Sequence, residues 1–443
     1  MKQKRSIARS IRLPFWEKGE MTEQLLQFIW QFQYFNRSSL LTTEGETIEV
    51  VAPGRLNRDQ GPDFLDAQIR LNGTLFAGTV EVHLKTTQWK AHGHDDDVNY
   101  RNVILHVVYE HNTDAVSDVP VLELQSRIQG LLVEQYHEWM QGGDFIPCAS
   151  SIAKTPALTW LAWKDRLLAE RLMRKAAGIF LLLKGNGMHW EETAWWLLAR
   201  NFGMPVNAEA FEALARSLPL RLLSRHRGQI HQLEALLLGQ AGLLIGPFRE
   251  DYPKLLQREY IFLKKKYGLV PIVQPVHFLR MRPPNFPTVR LAQLAMLMHV
   301  QGRFFPLVLE QEDADEVRLQ LSVTANDYWH EHYRPDEPSA FRKKMLGRDM
   351  IDNVLVNTVA PLLFAYGSYQ QEERFKAKAL RWLAETAAED NTITRGFGSL
   401  GITATSAFDT QALIELKTRY CDPRRCLECA VGNALLRPGR PGG

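Results

Sequence analysis

Cysteine is scarce: four in 443 residues, too few for a disulfide scaffold in a chain of this size. Three of the four crowd into residues 421–429, a spacing that favours a metal over disulfides. An excess of one charge is missing as well. The 53 basic and 50 acidic residues leave a formal net charge of +3, so composition demands no polyanionic partner. Long apolar runs are absent from this reading. The best, Ile179–Leu183 and Leu236–Ile245, are short and bounded or broken by Lys, Gly or Gln, so no membrane span is expected. The basic N-terminal run of Lys2, Lys4, Arg5, Arg9 and Arg12 leads into no apolar segment, because Pro14, Glu17, Lys18 and Glu20 interrupt it. A cytoplasmic location is expected by default. No glycine-rich phosphate loop, dinucleotide fingerprint, fixed-period repeat or Ser/His/Asp set is legible.

What remains is the composition of a globular protein, 45% apolar and 23% charged, long enough for two or three domains. The basic arm could touch phosphate or be a solvated chain end. Residues 21–35 place Leu25, Phe28, Ile29 and Phe32 at helical spacing behind Thr22 as N-cap. The period then changes to two. Ile48–Ala52 is a short strand closed by Pro53-Gly54. Phe64–Leu71 alternates apolar and polar residues up to Asn72-Gly73, a hairpin signal. The return strand sets Val80, Val82 and Leu84 on one face and Thr79, Glu81, His83 and Lys85 on the other. Residues 102–109 (NVILHVVY) are almost continuously apolar, as in a strand buried on both faces, and residues 120–125 suggest one more strand. From Leu158 onward the period is 3.6 residues over 160–183, 190–202, 208–218 and 229–238, with no convincing strand. The glycines and prolines of 142–156 mark the break. The expected fold class is α+β: a mixed α/β domain over 1–145, then a predominantly helical region over 146–443.

Glu81 and His83 share a strand face about 7 Å apart, within reach of one metal ion, and so do His83 and Lys85. Glu81 and Lys85 lie about 13 Å apart on a straight strand, too far for one small site unless the strand bends. If Asn72 and Gly73 alone form the turn, Asp66 shares the face of Glu81; a one-residue bulge would instead bring Asp63 opposite His83. Both registers remain open, with Asp63 preferred because Gly61-Pro62 before it makes a bulge easy. A polar row on a hairpin is also the ordinary solvent face of a sheet. The next loop, with His92, His94, Asp95, Asp96 and Asp97 in six residues, adds metal-ligand types beside that row. His106, inside the apolar strand, is expected to be a core histidine.

Gly61-Pro62-Asp63-Phe64 and the triplet-bearing strand Glu81-Val82-His83-Leu84-Lys85 resemble the PD-(D/E)XK nuclease fold. In that fold an Asp opens the second strand and an acid-x-Lys triplet lies on the third. Here His83 stands where the acid next to Lys85 should be. The resemblance implies a divalent-metal-dependent nuclease acting on DNA or RNA. Asp63, Glu81 and His83 would hold Mg²⁺ or Mn²⁺, and Lys85 would position the attacking water or the phosphate. A catalytically silent nucleic-acid-binding or protein-interaction scaffold with a nuclease-like shell is the alternative. Across nearly its full length the chain also resembles a bacterial family known as domain of unknown function 2851. The stretches are GPDFLDAQI, GTVEVH, HGHDDDVNYRNVILHVV, RPPNFPTVRLAQLA and YCDPRRCLECAVGNALL. That likeness implies no chemistry.

Cys421, Cys426 and Cys429 form C-x4-C-x2-C, which suits zinc or an iron–sulfur cluster with Cys148 as fourth ligand. Three reduced thiols without metal are the plain alternative. Arg280, Arg282 and Arg290 surround a proline-rich loop before a helix. They could seat nucleic-acid phosphates or pack an interface. His330, Glu331 and His332 lack the i, i+4 spacing of a zinc protease, and core packing explains Trp329 as well as base stacking does.

Overall fold

The computed structural model describes residues 21–94, 97–113, 118–278 and 283–437. The basic arm at residues 2–12, Asp95, Asp96, Arg280 and Arg282 lie outside them. Contacts divide the chain into two compact units at other bounds than the expected break at 145/146. One unit runs to Trp163 and takes up Leu416 onward; the other is Lys164–Glu415.

The first unit is built on a seven-stranded sheet. Helix α1 (Glu23–Phe32) starts where Thr22 Oγ1 accepts from the Leu25 N–H at 3.2 Å. It buries Leu25, Leu26, Phe28, Ile29 and Trp30. The strands are β1 (Leu40–Leu41), β2 (Thr47–Ala52), β3 (Arg55–Leu56), β4 (Phe64–Leu71), β5 (Thr74–Lys85), β6 (Val103–Glu110) and β7 (Val121–Glu123). Their order is β1-β2-β4-β5-β6-β7, with β3 paired to β4. β4 and β5 are an antiparallel hairpin turned at Asn72 and Gly73, whose φ angles of 47° and 86° are those the two-residue loop requires. β5–β6 and β6–β7 are parallel. The chain crosses from β5 to β6 through the short helix α2 (Gln88–Ala91). β6 is the central strand its sequence predicts, with Leu105, His106 and Val107 fully buried.

Helix α3 (Gly130–Gln141), which the sequence pattern did not announce, buries Leu132, Val133, Tyr136 and Trp139. The C-terminal segment belongs to this same unit. The Tyr34 hydroxyl donates to Asn433 Oδ1 at 2.6 Å, and Trp163 meets Tyr420 edge-on at 5.1 Å.

The second unit is helical nearly throughout, as the 3.6-residue period predicts. Trp190–Phe202, Met204–Ser217, Ile230–Gln240, Asp251–Tyr267 and Pro287–Val300 surround a core that includes Trp195, Phe202, Phe211, Trp329 and Trp382. A small hairpin, His332–Arg334 with Glu337–Pro338, interrupts the helices. One correction concerns apolar length. Arg348–Gln370 is a continuous helix of 23 residues, long and apolar enough by composition to cross a membrane, with 72% of its most apolar window buried inside the unit. Its apolar residues serve the core.

Candidate metal centre

The position of Asp63 depends on one extra residue in β4. Leu71 faces Thr74 and Ala67 faces Gly78, but Phe64 faces Val80, so a β-bulge separates the two stretches. Asp66 sits in the bulge at φ 60°, with its side chain 81% exposed and 3.7 Å from Arg55. The bulge brings Asp63 alongside Glu81, two residues before the expected partner His83. The Asp63 N–H donates to Glu81 Oε2 at 3.0 Å, and the Val82 N–H donates to Asp63 Oδ2 at 3.1 Å. Gln27 Nε2, from α1, donates to Asp63 Oδ1 at 2.9 Å. The two carboxylates are thus locked together by backbone of neighbouring strands.

The polar row on β5 is enclosed rather than a solvent face: Glu81 is 5% exposed and His83 1%. Three further histidines converge on it. Glu81 Oε1 lies 3.5 Å from His83 Nε2 and 3.5 Å from His94 Nε2. His83 Nε2 lies 3.1 Å from His92 Nδ1. Ligand atoms of His83, His92 and His94 all fall within 4.8 Å of one another, a spacing that could hold a metal ion. Ligands about 2.0–2.1 Å from a tetrahedral ion are separated by roughly 3.3 Å, and the Glu81–His83, Glu81–His94 and His83–His92 separations of 3.5, 3.5 and 3.1 Å are near that spacing. Behind them His83 Nδ1 meets His106 Nε2 at 3.0 Å. With His83 Nε2 turned to an ion, its Nδ1–H would donate to His106, the outer partner that orients a ligating imidazole. The loop after β5 completes the enclosure: Tyr100 stacks on His94 at 3.8 Å, and Trp89 meets it edge-on at 5.3 Å.

Charge at this point is costly without a cation. Burial pushes the Glu81 carboxyl up to about 8, helped by the Asp63 carboxylate beside it. Asp63 rises to about 6 through burial, with the Val82 and Gln27 hydrogen bonds opposing. Burial and the neighbouring imidazoles hold His83 down at about 3, and His106 at about 4. Two acids that resist joint ionisation beside His83 and His106, both held from protonating, make this cluster a candidate functional site.

The remaining candidates fall elsewhere. Lys85 ends β5 half-exposed, its ammonium 3.8 Å from Glu110 across the parallel ladder. Arg290 is buried in the second unit and donates to Gln293 Oε1 at 2.9 Å and Asn285 Oδ1 at 2.5 Å, so its guanidinium serves packing. His332 is held by Glu250 and the Tyr328 carbonyl, and Trp329 is fully buried with its indole N–H on Glu234. Cys148, Cys421, Cys426 and Cys429 are all free thiols in the first unit. Sequence reasoning missed Gln27 and Tyr100; His106 is the buried core histidine it expected, paired with His83 Nδ1. Only the density of ligand types at 92–97 pointed toward the loop histidines. Neither a curated protein nor a solved structure matches the chain. A family model described as "Protein of unknown function (DUF2851)" matches residues 23–392, and the chain belongs to that family.

Proposed function

We propose that the first unit is a metal-dependent phosphodiesterase of nuclease type, acting on DNA or RNA. One observation carries this reading: Asp63, Glu81 and His83, from adjacent strands, converge with His92 and His94 on a single enclosed point. The order helix, strand, Asp63-bearing strand, Glu81-bearing strand and β6 supports it, as that is the order the PD-(D/E)XK resemblance implies. With Asp63 beside Glu81, Pro62-Asp63 and Glu81-Val82-His83 supply that motif's elements. His83 stands where the acid next to Lys85 should be, and Lys85 lies half-exposed against Glu110.

Imidazole-rich donors suit Mn²⁺ or zinc better than Mg²⁺, which prefers oxygen. Such an ion would polarise a phosphoryl oxygen and lower the pKa of bound water. Glu81, His83, His92 and His94 would hold it. Asp63, fixed by Gln27 and Val82, would orient Glu81 and receive the water's proton. His92 is the exposed ligand, which makes it the one a substrate or water can displace.

A second reading has its own observation. Four protein ligands can fill a tetrahedral shell, and closed shells are structural. The unit would then be a silent scaffold held by its metal. Cleavage of single- and double-stranded DNA and RNA with Mg²⁺, Mn²⁺ or zinc separates the two. The nuclease reading expects cleavage that disappears in Asp63→Ala and Glu81→Ala. Stoichiometric metal binding without cleavage of any of the four substrates would establish the scaffold instead.

A further inference from the structure

Outside the histidine site, four thiols gather where the two ends of the first unit's chain meet. Cys148 lies in the turns after α3, while Cys421 closes a π-turn (Lys417–Cys421). Cys426 opens a single turn (Cys426–Glu428), and Cys429 directly precedes the short helix Ala430–Leu436. Cys148, Cys426 and Cys429 are buried, and none of the four is in a disulfide. Cys421 lies within electrostatic range of the other three, and Cys148 within range of Cys426 and Cys429. The set draws on two segments far apart in sequence, which the Arg424 guanidinium ties together through the Trp139 and Gly142 carbonyls.

Burial pushes all four thiols up, and the charges of neighbouring sulfurs add to the push on Cys148, Cys421 and Cys426, so four thiolates would stand together only beside a cation. Arg424 acts on Cys426 and Lys417 on Cys421, each a cation beside a sulfur. The loop that presents the thiols is itself fixed. Arg424 takes φ 55°, and its guanidinium donates to the carbonyls of Gly142 (2.5 Å) and Trp139. A Cβ on Gly432 would lie 2.2 Å from the Cys426 carbonyl oxygen, so the backbone packs there too tightly for any side chain.

We propose that Cys148, Cys421, Cys426 and Cys429 ligate one thiophilic metal centre that fastens the C-terminal segment to the N-terminal unit. Four soft thiolates suit zinc or an iron–sulfur cluster, and both leave the ligated centre with a net negative charge that Arg424 and Lys417 offset. Each thiol that binds gives up its proton to solvent. The role is a staple: bringing Cys148 to the trio closes a loop that includes the whole second unit, and the metal stabilises that closure.

The experiment is metal and acid-labile sulfide analysis of the full-length chain purified without oxygen, together with its absorption spectrum. The variants are Cys148→Ser, Cys421→Ser and Glu81→Ala. One zinc per chain, or iron with matching sulfide and visible absorption, retained in Glu81→Ala but lost in either serine variant, supports the centre and identifies it. Should the serine variants not fold, a mercurial titration of the wild-type chain replaces them: metal release that tracks thiol modification supports the centre. Wild-type chain carrying neither metal, metal unaffected by thiol modification or by both serine substitutions, or a Cys–Cys disulfide would overturn it. The Glu81→Ala arm keeps this result independent of the histidine site.

Discussion

Glu81 and His83 are neighbours on one strand face, yet their protons move in opposite directions. In the folded chain Glu81 holds its proton up to about pH 8 against an ordinary 4.5, so its contribution to stability is present below 4.5 and is lost as pH rises toward 8. His83 refuses a proton down to about pH 3 against an ordinary 6.5, so stability is lost as pH falls from 6.5 toward 3. Between about 4.5 and 6.5 the two slopes oppose, and above 6.5 Glu81 acts alone. Metal-free protein should therefore show a stability plateau at mildly acid pH. It should then lose about 2 kcal/mol between pH 6.5 and 8, one and a half pH units at roughly 1.4 kcal/mol each. Glu81→Gln removes the ionisation and should flatten that limb. Melting curves in chelator from pH 4 to 8.5 check this; a Gln variant that declines in parallel with wild type would refute it. Bound divalent metal should reverse the slope, since its affinity grows as Glu81 gives up its proton.

At the scale of elements, the hairpin was legible because alternation and Asn72-Gly73 are local signals, and the apolar run of β6 announced a central strand. The bulge was not. Which residue faces which depends on the partner strand, so sequence could name Asp63 and Asp66 as candidates but could not rank them by contact. Lys85 was drawn into the site by strand periodicity and by the acid-x-Lys triplet of the nuclease resemblance, whereas the loop closes over the Glu81–His83 end. His92 and His94 became ligand candidates only once Trp89 and Tyr100 folded that loop over β5. Gly78 explains how β5 and β6 approach closely enough for His83 to reach His106. A Cβ there would lie 2.5 Å from both the Asn102 carbonyl oxygen and Ile104 Cγ2. Gly78→Ala should cost about 2–3 kcal/mol by overpacking. It should also weaken metal binding through a displaced β5. Thermal denaturation and metal titration read the two effects, and unchanged values in both would show that the strands have room to spare. At the bulge, Asp66→Val forces a β-branched residue into φ 60° and should cost about 1–2 kcal/mol, while Asp66→Gly should be neutral or mildly stabilising.

At the scale of the molecule, the segment beyond Glu415 lies outside the 23–392 stretch that the family model matches, yet it completes the unit that carries the candidate metal centre. The sequence pattern could not reveal this, because the helical period runs on to about residue 420 from the region before it and only the cysteines set the segment apart. The segment buries Leu416, Tyr420, Cys426, Cys429, Val431 and Leu436. It also places Asn433 against Tyr34 and Glu428 against Arg58, the latter at 3.0 Å. Burying the four large apolar side chains alone is worth roughly 6–10 kcal/mol, on the order of a whole domain's net stability. A chain cut after Glu415 should therefore lose the first unit and keep the second. Hydrogen exchange resolves the two, since β5 and β6 report on one and Trp190–Phe202 on the other. Protection should collapse in the strands and persist in that helix, and histidine-site metal binding should vanish with the strands even though every one of its ligands is still present. Full protection of β6 in the truncated chain would show that the sheet stands without its C-terminal cover, and the stapling role of the thiols would then have no structural purpose.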